Sequence, residues 1–115
     1  MIIDDFVQKQ SLEKIAEDVR TMPKDFSKIS RIWGPCGYIA KEIAKRLRKT
    51  YSDTLVRIYT FSEGVHTIAT LGNSNDFNKL WKIDLEKRKT VYAPGEKYAI
   101  DWVKPELVDD KYFAS

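Results

Sequence analysis

The chain of 115 residues holds a single cysteine, Cys36, and a single histidine, His66. One thiol cannot form an intrachain disulfide or an all-cysteine metal cage, and one imidazole excludes any site that needs two. Zinc fingers, two-histidine zinc hydrolases and disulfide scaffolds are therefore ruled out. No stretch approaches the roughly 20 apolar residues of a membrane helix. Four prolines and five glycines are spread too thinly to make a linker or a low-complexity segment, and no internal repeat is visible. The chain thus reads as one domain over 1–115. Its first residues, Met1-Ile2-Ile3-Asp4-Asp5, are acidic where a secretory signal begins basic, so no such signal is expected.

What is present suits a folded domain: 43% of residues are hydrophobic and 32% charged, outside the range of disordered tails. The net charge is only +3, but the basic residues are clustered. Lys41, Lys45, Arg46, Arg48 and Lys49 form one group, and Lys79, Lys82, Lys87, Arg88 and Lys89 a second. Such runs are most often the solvated face of a helix; phosphate contact is the functional alternative.

Apolar spacing predicts helices first and strands after. Ser11 can cap a helix with Leu12, Ile15, Ala16 and Val19 on one face, ending before Pro23, with Ile2, Ile3, Phe6 and Val7 as an earlier turn packed on it. Residues 22–33 read as a connection with a short helical turn at Phe26 to Ile29. The clearest helix spans about 35–49. Pro35 suits its first position, and Cys36, Ile39, Ala40, Ile43, Ala44 and Leu47 recur at helical spacing. From Thr54 onward the pattern is β: 54–61, 65–71, 80–85, 90–92 and 97–103, with a turn-rich loop at 72–76. The expected fold is α+β, with N-terminal helices in about 1–50 covering a C-terminal antiparallel sheet of 4–5 strands in about 54–103.

Three residues stand out chemically. Cys36 lies in the first turn of the best helix, where unpaired N–H groups and the helix dipole favour a thiolate, so its pKa is expected to fall below the free value of about 8.5. His66 opens a strand, with Ile68 and Thr70 on its face. If the 72–80 loop joins two antiparallel strands, His66 falls opposite residues 84 to 86, bringing Asp84 within reach. A carboxylate there would hold the imidazole tautomer and turn its other nitrogen toward the thiol. Glu86 is an alternative third member; Asp76, in the loop, is a weaker one. Each residue also has a plain structural reading: a lone cysteine on an apolar stripe is usually core, and a lone strand histidine is usually structural. It is the conjunction that raises the catalytic reading.

The patches Gly34-Pro35-Cys36-Gly37-Tyr38-Ile39-Ala40, Gly64-Val65-His66-Thr67-Ile68 and Ile83-Asp84 resemble the papain-like toxin domains of bacterial polymorphic and contact-dependent systems. The resemblance covers about residues 10–105. It implies a minimal papain-like fold with Cys36 as nucleophile, His66 as general base and Asp84 as orienting carboxylate. It further implies an effector delivered on a larger secreted protein, acting in a target-cell cytoplasm and neutralised by a cognate immunity protein. Papain-like proteases also use an upstream glutamine as an oxyanion donor; here the only glutamines are Gln8 and Gln10, distant from Cys36. The backbone N–H of Cys36 would supply one donor, with the second unassigned.

The leading expectation is therefore a cysteine hydrolase attacking an amide, as a deamidase or a protease, with a macromolecular substrate, no cofactor, no metal and no membrane partner. A ribonuclease cleaving RNA such as tRNA is the alternative, using His66 with Lys82, Arg57 or Lys45 on the phosphate and aromatic rings for stacking. A non-enzymatic immunity or binding module is the third.

Overall fold

The computed structural model describes residues 2–25, 34–61, 66–98 and 104–108, and side chains from Phe6 onward. Two helices, α1 (Ile2–Thr21) and α2 (Gly34–Leu47), pack on a five-stranded antiparallel sheet: β1 (Val56–Phe61), β2 (His66–Leu71), β3 (Trp81–Ile83), β4 (Val91–Tyr92) and β5 (Glu106–Leu107). This is the expected α+β architecture. The spatial order is β4-β3-β2-β1-β5. Four strands thus form a meander, and the fifth returns to the opposite edge beside β1.

α2 begins where expected. Gly34 has φ 62, a left-handed conformation that side chains disfavour, and turns the chain into the helix ahead of Pro35. The stripe on α2 is real: Ala40, Ile43, Ala44 and Leu47 are buried, while Cys36 and Ile39, at its upper end, are half-buried. Together with Leu12, Ala16 and Val19 of α1 they cover Val56, Ile58, Ala69, Leu71, Trp81, Ile83 and Val91 on one face of the sheet. Each valine, leucine or isoleucine among them contributes about 1.5–3 kcal/mol by leaving water.

The other face is aromatic. Phe61, Ile68, Tyr92 and Tyr98 form a second cluster, with Phe77 of the 3-10 turn Phe77–Lys79 packed against it. The rings meet edge to face, Tyr59 on Phe77 at 5.1 Å and Tyr92 on Tyr98 at 5.0 Å between centroids. With both faces covered, β2 is buried along nearly its whole length. A one-sided pattern was expected there.

Three sequence expectations need correction. Ser11 does not cap a helix: α1 runs unbroken through it, because Gln8, Lys9 and Gln10 are good helix formers and an interior serine costs only a few tenths of a kcal/mol. Phe6 and Val7 are consequently not a packed earlier turn; they stand exposed on that same helix. The fifth strand is Glu106–Leu107, so the sheet does not end near 103. Lys97 and Tyr98 lie outside any strand, and Tyr98 instead closes the aromatic face. The turn expected at Phe26 to Ile29, and residues 99–103 of the expected fifth strand, lie outside the described residues. Among the described residues no helix is long and apolar enough to cross a membrane.

Candidate active site

Cys36, His66 and Asp84 meet at one end of the sheet. Cys36 is the third residue of α2, His66 the first of β2, and Asp84 directly follows β3. The β2–β3 register, Ala69↔Ile83 through Leu71↔Trp81, continued by three residues, sets His66 opposite 86, within the expected range. His66 pairs with Phe61, whose side chain belongs to the aromatic face. The ring therefore meets Cys36 around the end of the sheet, since α2 covers the other face.

His66 Nε2 donates to Asp84 Oδ2 at 2.8 Å. The Asp84 side chain is 1% exposed and is held by two further donors, the Tyr98 hydroxyl on Oδ2 and the Glu86 backbone N–H on Oδ1 at 3.0 Å. Burial by itself would raise the Asp84 pKa, but the hydrogen bonds from His66 and Tyr98, aided by the imidazolium charge, hold the carboxyl below its ordinary value. The hydrogen bond to Asp84 raises the His66 pKa, with burial and the nearby Lys87 opposing. Burial, then the hydrogen bond to Asp84, pushes the Tyr98 phenol far upward, so it remains a donor throughout the physiological range.

Glu86 completes the cluster. Its Oε2 lies 3.1 Å from His66 Nδ1, and its Oε1 accepts a 2.7 Å hydrogen bond from the Cys36 thiol. The Cys36 sulfur, a His66 ring nitrogen and a Glu86 oxygen all lie within 4.8 Å of one another. Asp84, His66, Glu86 and Cys36 thus stand in one line, joined by hydrogen bonds at its two ends and by the close His66–Glu86 contact in the middle. The carboxylate of Glu86 stands beside Nδ1 as the ion-pair partner of an imidazolium, in the place that a thiolate would otherwise take.

This overturns the expected low thiol pKa. Burial, then the hydrogen bond to Glu86 and its negative charge, pushes Cys36 up to about 12, although the backbone of Thr67 hydrogen-bonds toward the sulfur and pulls the other way. The helix start is present, but burial and then an adjacent carboxylate outweigh it. The resting group is a thiol. Glu86 sits in the turn after β3 with 57% of its side chain exposed, so rotating it into water requires little repacking.

The cluster faces a small, solvent-open recess with room for about one water, walled by Ile39, Ala40 and Ile43 of α2 and by Thr67 and Leu85. The other sequence candidates lie elsewhere. Asp76 caps the turn Phe77–Lys79 by accepting from the Asn78 N–H. Lys82 is fully buried, its Nζ donating to the Asn78 carbonyl at 3.2 Å and lying 5.5 Å from the Phe77 ring. Arg57 donates to the Ser74 carbonyl, and Lys45 pairs with Glu42 at 3.5 Å. Gln8 donates to the Tyr51 hydroxyl and Gln10 is exposed on α1. None of these six lines the recess.

Sequence reasoning weighed Glu86 only as a substitute for Asp84, and missed Tyr98. A carboxylate two residues beyond Asp84, past the end of the strand, was a signal that it could fold back toward the same ring. Tyr98 gave no such signal, because its position depends on the chain leaving the sheet after Tyr92. No protein-family model, no curated protein and no solved structure matches the chain.

Proposed function

We propose that the protein is a cysteine-dependent amide hydrolase with Cys36 as nucleophile, His66 as general base and acid, and Asp84 as the orienting carboxylate. The observation that carries this reading is the short line from buried Asp84 through His66 to the half-buried sulfur at the mouth of a recess. With Glu86 turned to solvent, the thiol passes its proton to Nδ1 of neutral His66, and the resulting thiolate pairs with the imidazolium N–H so formed. The sulfur attacks the amide carbonyl, and the developing oxyanion lies near the N–H groups that open α2. Nδ1–H passes its proton to the departing nitrogen as the C–N bond breaks, leaving a thioester and free amine or ammonia. His66 then takes a proton from water, whose oxygen displaces the sulfur and releases a carboxylate. Asp84 stays ionised throughout and fixes the ring.

With so little enclosed room beside the sulfur, the reading favours one exposed amide, a glutamine side chain or a single peptide bond, over an extended polypeptide. The resemblance to papain-like toxin domains extends the reading to an effector that acts on a macromolecule inside a target cell and is held in check by an immunity protein. A bacterial extract incubated with the wild-type protein and with Cys36→Ala tests it. Mass spectrometry should find glutamine-to-glutamate conversions or new chain termini in the wild-type reaction alone. Intact protein alongside degraded RNA would replace this reading with a ribonuclease, and equal action by both variants would remove Cys36 from the chemistry.

A further inference from the structure

We propose that Cys36, His66 and Glu86 form a binding site for one zinc(II) ion, with Asp84 as the supporting carboxylate behind the histidine. Three donor types from three separate elements converge here: a thiol from α2, an imidazole from β2 and a carboxylate from the turn after β3. A sulfur and an imidazole nitrogen favour zinc over magnesium or calcium, which prefer all-oxygen sites. Around a tetrahedral zinc ion, with bonds of about 2.0–2.3 Å, the ligand atoms stand about 3.3–3.6 Å apart. The present separations are 2.7 Å from sulfur to Glu86 Oε1 and 3.1 Å from Nδ1 to Glu86 Oε2, and all three donors fall within 4.8 Å. Shifts of less than about 1 Å by the exposed, turn-borne Glu86 in these two contacts, with closure of the sulfur–imidazole separation from as much as 4.8 Å toward about 3.6 Å, would seat the ion.

The surroundings match what a zinc-bound histidine requires. The metal would take Nδ1, while Nε2–H already donates to Asp84 at 2.8 Å, which fixes the tautomer and makes the ring a better ligand. Asp84 is itself immobilised by Tyr98 and by the Glu86 backbone. The fourth position opens into the recess, where water can complete the tetrahedron. On binding, Zn–S, Zn–N and Zn–O bonds form, and the thiol proton and any proton on Nδ1 leave to solvent. No electron is transferred. A zinc-bound sulfur is no longer a free nucleophile, so metal binding and the hydrolysis proposed above exclude each other. The binding itself does not depend on that activity.

Cobalt(II), followed by zinc(II) displacement, tests the site on the full chain freed of metal. One cobalt per chain should give a sulfur-to-cobalt charge-transfer band and the intense visible bands of a tetrahedral ion, both lost when one equivalent of zinc is added. Cys36→Ser should abolish the charge-transfer band. Glu86→Ala, at an exposed position, should weaken zinc binding by about tenfold or more, and Asp84→Asn by about 10–100-fold. Zinc should also protect Cys36 from iodoacetamide, a readout that holds whether or not the protein cleaves an amide. A wild-type protein without the charge-transfer band, or an affinity unchanged in both Cys36→Ser and Glu86→Ala, overturns the site. Loss of amide hydrolysis with the cobalt spectrum intact would overturn the hydrolase reading alone.

Discussion

The two faces of the sheet are built from different materials. Against the helices lies an aliphatic layer of leucine, isoleucine, valine and alanine, whose contacts have no direction and ask only for volume. Beneath lies a smaller layer of Phe61, Phe77, Tyr92 and Tyr98, whose rings pack against one another and whose Tyr98 hydroxyl reaches a buried carboxylate. The first layer holds the fold together. The second holds a polar line in register, and the Cys36 sulfur is brought to its end from the opposite side. Stability and chemistry should therefore be separable by mutation.

The largest expected effect is Cys36→Ala, which should lower amide hydrolysis by more than about 10⁴-fold while leaving the melting temperature close to wild type. Leu12→Ala, in the fully buried aliphatic layer, should cost about 2–5 kcal/mol in denaturant unfolding. The rate of Cys36 alkylation in the native state should hardly move; a large change would show that the two layers are coupled.

The His66–Asp84 pair gives a sign for pH. His66 is raised on folding, so its contribution is complete below about 6.5 and fades as pH climbs through the folded value. Asp84 is lowered, so its contribution is complete above about 3.8 and fades as pH falls through the folded value. Stability from the pair should peak in the mildly acidic interval between those values, measured in chelator-treated buffer by urea unfolding. Asp84→Asn should flatten the decline on the alkaline side; an unchanged slope would mean the pair does not govern it.

Glu86→Ala removes the carboxylate that keeps Cys36 protonated. Alkylation at pH 8 should accelerate by about tenfold or more, as thiolate becomes accessible beside the imidazolium. A rate equal to wild type would show that burial alone sets the thiol. The smallest effect belongs to Phe6→Ser on the exposed side of α1, within about 0.5 kcal/mol by the same unfolding measurement.

Much of this was legible along the chain because the signals were local. The stripe from Cys36 to Leu47 repeats every three or four residues, and Gly34-Pro35 marks its start, so α2 could be read without tertiary knowledge. The pairing of His66 with Asp84 followed from the short 72–80 connection, which limits strand register to a residue or two. What escaped depended on distant contacts. Ser11 has a capping side chain, but the good helix formers on either side carry the helix through it. The thiol's ionisation depends on Glu86, fifty residues away. Tyr98 acts on Asp84 only because the chain leaves the sheet after β4 and the last strand forms on the far edge.

The sulfur and the carboxylate that caps it stand 50 residues apart, and the ring and its anchor 18. Loops of that length close late in folding, after local helices have formed. A partly unfolded chain therefore has every atom of the proposed site without its geometry. The proposed chemistry requires the helix docked on the sheet, and an unfolded chain would lack it.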